Sequence, residues 1–264
     1  MTECGVMIAL STVLSLIKIA ELPYGGSVTV ASMLPIVIAV YRHGGAWGFG
    51  CALTNSLIQM LLGMKNFSYF TTWQSIIALA VFDYVLAFAA FALSGVFKKR
   101  IKSQALSLLA GVVLASVLRY ACHVISGATV WAGLSIPSEA ALIYSFSYNA
   151  TYMLPETLVL ALTTVYVGSV IDFRRATPVR VKREEFDRIS AYSYIAAGLS
   201  VLVALIVDIA TVFPVLQDPE SGEFIFTNIT NANFTLVLSV SGAALLIAAL
   251  LVIYAKMRNK KTNA

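Results

Sequence analysis

The stretch LRYACHVISG, residues 118 to 127, sets an arginine and a histidine in an otherwise apolar run. Arg119 and His123 stand four residues apart, so on a helix they share one face about one turn apart. Other costly groups lie in similar surroundings: Asp83 in SIIALAVFDYVLAF, Glu156 in NATYMLPETLVLAL and Asp208 in VLVALIVDIATVF. Ionisable side chains inside apolar spans face a bundle interior or a cavity. Tyr144, Tyr148 and Tyr152 recur every four residues, with Asn149 on a neighbouring face. A lipid-facing carboxamide there would be unsatisfied. Trp73 and Trp131 fall at outer loops, as interfacial belt or as pocket wall. One carboxylate among aromatic faces suits a flat cationic ligand, through stacking, cation–π attraction and a charge-assisted hydrogen bond. The structural alternative is a buried polar network that only ties helices together. Pro155 before Glu156 reads as a kink.

These residues need elements to hold them. The chain has 264 residues, 59% hydrophobic and 12% charged. Soluble domains carry about 25% charged residues, so this is an integral membrane protein. The apolar runs are long and do not alternate, which points to helices rather than a barrel. Eight spans are expected, at about 2–20, 28–41, 45–64, 73–97, 104–125, 139–171, 189–214 and 234–256. The fold class is therefore all-α: a six-helix bundle followed by a two-helix hairpin. The net charge of +5 belongs to loops between spans and does not call for nucleic acid. Cys4, Cys51 and Cys122 sit in apolar segments as small hydrophobes. The N-terminal run lacks a basic n-region and an A-x-A site, so it reads as a first span that stays.

Positive charge orients the spans. Arg42, Lys98, Lys99, Arg100, Lys102, then Arg174 to Arg188, then Lys256 to Lys261 fall in alternate loops. The other loops hold Lys65, with Lys18 near a span end. The excess marks the cytoplasmic side and puts both termini there. In this topology Asp83 lies roughly 15 Å below the outer edge of its span, at the depth of Arg119, and the two are expected to pair. The segment DFRRATPVRVKREEFDR divides the chain. Residues 1–172 form the six-span domain, 173–188 a basic cytoplasmic linker, and 189–264 the two-span extension. No P-loop, nucleophile elbow or metal-ligand spacing is present in the sequence. The chain is expected to be no enzyme and to carry no cofactor or metal.

Four motifs in order carry a resemblance: LPYGGSVTVASMLPI, WQSIIALAVFDYVLAFAA, LRYACHVISGATVW and IYSFSYNATYMLP. Over about residues 1 to 172 they resemble the thiamine-specific membrane-embedded substrate-binding subunits (S components) of energy-coupling factor transporters, the ThiT/YuaJ family. The resemblance implies a six-helix bundle in a prokaryotic cell membrane that binds thiamine near the outer surface. It implies partners: a transmembrane scaffold subunit and two ATPase subunits, which hydrolyse the ATP. It implies that the bundle topples to release the vitamin inside.

Carried over by position, the family's pocket falls on Asp83 and Tyr84, His123, Trp131, Tyr144 and Asn149, with Trp73 where an aromatic lines the site. Gly26 and Val30 stand near where some members carry a tryptophan and a glutamate, so the resemblance implies a thiazolium side built differently, through Ser27 and main chain beside Gly26. Arg119 is implied to stand behind the site and hold Asp83. Gly5 and Ala9 match the small-residue motif that docks the scaffold, a small-xxx-small spacing in its own right. The Gly25-Gly26 loop is the expected lid. Two rival readings stay open from the residues. One is a proton-coupled secondary transporter of thiamine or a pyrimidine precursor, working alone through Asp83 or Glu156. The other is a non-transporting scaffold or sensor.

Overall fold

A computed structural model describes residues 2–22, 25–132, 141–181, 188–216 and 226–262. The chain forms two compact units, Met1–Val181 and Lys182–Ala264.

The first unit opens with α1 (Thr2–Leu16) and a hairpin of β1 (Lys18–Glu21) and β2 (Ser27–Thr29). The expected second span begins later than the hydropathy suggests, because this hairpin and a turn occupy its first residues. Ala31 in that turn has φ 52, a strained angle for a non-glycine residue. Then follows α2 (Leu34–His43), with Pro35 in its first turn, where a missing N–H costs nothing. Pro35 to Tyr41 are all buried. An all-apolar short helix is stable only when wrapped by others, and at ten residues it rises only about 15 Å.

Next come α3 (Gly45–Leu62) and α4 (Trp73–Gly95). Thr72 caps α4 by accepting from the Ser75 amide. This helix is not uniform: it is α-helical to Leu79, π-helical over Ala80–Leu86, and 3₁₀ over Ala90–Gly95. The π segment holds Asp83 and Tyr84, and such segments concentrate at functional sites. Ser103 caps α5 (Gln104–Thr129), whose buried residues Leu108, Val112, Ala115 and Arg119 run down one stripe. The sixth helix is α6 (Ala141–Val170), with Pro155 inside it.

One end of this unit is tied by cations to main-chain oxygens. Arg42 pairs with Glu3 and donates to the carbonyls of Phe173, Arg175 and Ala176. Lys98 donates to the Arg42 carbonyl, and Arg174 to that of Lys102. Burial, with Arg42 and Arg174 nearby, holds the Lys98 ammonium below the ordinary lysine range. A short ladder of β3 (Ile171–Asp172) and β4 (Val179–Arg180) follows α6. The first part of the expected linker is thus packed on the bundle, with Phe173 buried. Residues 182–187, the rest of its basic run, lie outside the described residues.

The second unit pairs α7 (Arg188–Leu216) with α8 (Phe234–Thr262). Ser241 donates to Asp208, and Ser200 to the Ala244 carbonyl. The first half of the expected outer loop, residues 217–225, is outside the described residues. Among the described residues, five helices (α4, α5, α6, most of α7 and most of α8) are long and apolar enough to cross a membrane. The protein is a multi-pass, predominantly helical membrane protein.

Candidate functional site

A cavity of about 310 Å³ opens at the end of the bundle remote from the Arg42 cluster. Its walls come from the C-terminal halves of α3 and α5, the π segment of α4, the first half of α6, and the β1–β2 hairpin. That volume suits a small ligand.

Asp83 forms one wall. Its Oδ1 is 2.9 Å from His123 Nδ1, and its Oδ2 accepts from Ser126 Oγ at 2.7 Å and Trp131 Nε1 at 2.9 Å. The π-helical turn sets this aspartate against α5. Arg119 Nε donates to His123 Nε2 at 3.3 Å. A guanidinium only donates, so Nε2 carries the lone pair and Nδ1 carries the proton given to Asp83. The tautomer follows from the partners rather than from the ring itself.

The expected pair of Arg119 with Asp83 is not formed. Arg119 Nη1 instead bonds Glu156 Oε2 at 3.2 Å, and the guanidinium lies 4.4 Å from the Phe88 ring centre. The physical reason is lateral position. Both carboxylates lie in reach of α5, but His123 and Ser126 hold Asp83, leaving Glu156 as the buried anion that needs a cation. Glu156 also accepts from the Thr29 hydroxyl at 3.1 Å. Pro155 therefore does not account for Glu156; the carboxylate joins α5, α6 and β2. Its signal in the sequence was its place four residues beyond Tyr152 and seven beyond Asn149, on one helix face.

Tyr84 lines the cavity, donates to the Gly63 carbonyl at 3.1 Å and accepts from Asn66 at 2.9 Å. Tyr144 stacks on Tyr148 with centroids 6.0 Å apart, and Tyr152 donates to Asn149 Oδ1 at 2.6 Å. Asn149 Nδ2 donates to the Ser145 carbonyl and reaches the His123 carbonyl at 3.3 Å. The carboxamide thus joins α6 to α5 as well as facing the cavity. Trp131 packs edge-on to Phe70, 4.9 Å away, with Tyr69 beside it.

Trp73 departs from expectation. It is 67% exposed and stands outside the cavity lining. As the first residue of α4 it projects from the helix end, a position that suits the interfacial belt. The aromatics next to Trp131 are Tyr69 and Phe70 instead. Gly26 and Ser27 do line the cavity. A Cβ on Gly26 would stand 2.8 Å from the Tyr152 ring, and Gly25 has φ +101, so the hairpin lies directly on the tyrosines. At the mouth Lys18 bonds Glu21 at 2.7 Å, which holds that exposed carboxyl below its ordinary range. Gly5 and Ala9 lie on the exposed face of α1, away from the cavity. Thr29, Ser126, Gln59 and Phe88 were missed. They are ordinary residue types for a span, and only the third dimension collects them.

The fold and site define a helical membrane bundle with a polar, aromatic-walled cavity at one end, large enough for a small solute. Residues 1–172 match the family described as thiamine transporter protein. The chain belongs to that family. Among its relatives is the thiamine transporter ThiT of Bacillus subtilis (strain 168), 33% identical, with the match covering 61% of this chain and 85% of the relative. The solved structure of ThiT from Listeria monocytogenes has a similar fold, with TM-score 0.52 and 23% identity over 63% of this chain and 91% of that one.

Proposed function

We propose that this chain binds thiamine in the cavity and acts as the substrate-binding subunit of an energy-coupling factor importer. Charge balance carries the reading. Arg119 offsets Glu156, whereas Asp83 is met by an imidazole N–H, a hydroxyl and an indole N–H, all uncharged donors. A cationic ligand completes that balance, and thiazolium is a cation. Aromatic walls suit its two flat rings. Asp83 also retains acceptor capacity for an aminopyrimidine. His123 and Trp131 place Asp83, Tyr144, Tyr148 and Tyr152 supply the opposite wall, and the Gly25-Gly26 hairpin covers them.

The positive-inside rule supports an outward-facing cavity, since the Arg42, Lys98 and Arg174 cluster is at the other end of the same helices. Both termini are then cytoplasmic, with eight spans in a cell membrane. The sequence carries no P-loop, which fits an ATP-hydrolysing module supplied by a scaffold and two ATPase subunits. The exposed α1 face with Gly5, Val6, Ala9 and Val13 suits docking of that scaffold. Titration with thiamine by tryptophan fluorescence tests the binding. Unchanged affinity in both Asp83→Ala and Asn149→Ala sinks it. Vitamin uptake by the chain alone in proteoliposomes sinks the partner assignment.

A further inference from the structure

One buried polar group on the cavity wall is left unused by the fold among the described residues. Gln59 lies in the last turn of α3 and is 9% exposed. It lines the cavity, and its Nε2 is buried without a hydrogen-bond partner. Of the buried side-chain polar atoms left without a partner among the described residues, it is the one on the cavity wall. The buried polar groups around it have partners: Asp83 has three donors, Glu156 has Arg119 and Thr29, and Tyr84 has Asn66 and Gly63. A buried amide donor without a partner is rare in native proteins and is costly unless something supplies an acceptor. One turn deeper, Asn55 Nδ2 faces the Met33 sulfur at 3.6 Å, a poor acceptor. The apolar surroundings of α3 thus offer Gln59 little from the protein side.

We propose that Gln59 is a ligand-binding residue of this cavity, its carboxamide nitrogen donating to a lone-pair acceptor on the bound molecule. The inference rests on thiamine as ligand, whose uncharged acceptors are its pyrimidine ring nitrogens and its hydroxyl oxygen. Gln59 thereby selects for a ligand with a neutral acceptor at this wall, beside the cation selection by Asp83.

The test compares wild type, Gln59→Leu and Gln59→Met, each titrated with thiamine, with an analogue in which a ring nitrogen is replaced by CH, and with the deoxy analogue. Both variants remove the donor and keep the bulk. Thiamine affinity falls about tenfold, the scale of one hydrogen bond to a buried group. The melting temperature of the ligand-free protein does not fall, because the atom removed had no partner. One analogue binds wild type and variants alike, which identifies the acceptor. Unchanged thiamine affinity in both variants overturns the proposal. So does a lowered ligand-free melting temperature with equal losses for all three ligands, the mark of a packing role. Wild type that fails to bind thiamine sinks the preceding reading and this one together; wild-type binding with unaltered variants sinks this one alone.

Discussion

Arg119 and Glu156 form an ion pair across the α5–α6 interface at 3.2 Å, with side chains only 10% and 7% exposed. Removing one member of such a pair leaves a buried charge and costs about 3–5 kcal/mol. Arg119→Ala and Glu156→Ala are each expected to lower the melting temperature in detergent sharply. Arg119→Met combined with Glu156→Leu recovers most of it, since an apolar pair fills the same space. A double variant that melts no higher than either single one would refute the pairing.

The coupling of Arg119 follows the same geometry. A double-mutant cycle between Arg119 and Glu156 in ligand-free protein is expected to give an interaction of about 0.5–3 kcal/mol. The cycle between Arg119 and Asp83, which touch only through His123, gives a smaller one. Chemical denaturation of the four variants in each cycle measures both values.

Asp83 organises its wall as well as facing the ligand. Asp83→Ala removes the acceptor that His123, Ser126 and Trp131 share. Thiamine affinity is expected to fall by at least about 2 kcal/mol, the loss of a charge-assisted bond. Asp83→Asn keeps the shape and loses the charge, so it isolates the electrostatic part. Calorimetric titration at two ionic strengths reads the difference.

Gly26 sits where a side chain would strike Tyr152. Gly26→Ala therefore lifts the hairpin from the tyrosine wall. The ligand is expected to dissociate faster, with a smaller change in association, and stopped-flow fluorescence measures each rate. Trp73→Ala is the matching control. At 67% exposure it changes affinity within about 0.5 kcal/mol, the usual range of surface substitutions.

Among the described residues, those that line the cavity belong to the first unit. A chain ending after Val181 is expected to keep thiamine affinity within about twofold, a difference of roughly 0.4 kcal/mol. Binding assays on this shortened chain check it.

The membrane class, the helical runs and their approximate order were legible in the sequence, because lipid demands about 20 apolar residues per spanning helix. The i, i+4 spacing of Arg119 and His123 was legible too, since helix periodicity puts them on one face. The set Asp83, Tyr84, His123, Trp131, Tyr144 and Asn149, implied by the resemblance, lines one cavity in the structure. The start of the short α2 was not legible, because hydropathy is blind to the hairpin and turn that take the first residues of that span.

Partnership was decided only by the tertiary structure. Periodicity gives depth and face along one helix, but not the rotation of neighbouring helices about their axes. The π turn in α4 changes that rotation at Asp83, giving it to His123, Ser126 and Trp131 and leaving Arg119 to Glu156. Packing likewise brings the Gln59 amide of α3 to the wall and leaves Trp73 outside it. The sequence by itself determined which costly groups had to be buried and roughly how deep. Packing decided which of them meet, because a buried charge or donor takes the partner that geometry puts within about 3 Å.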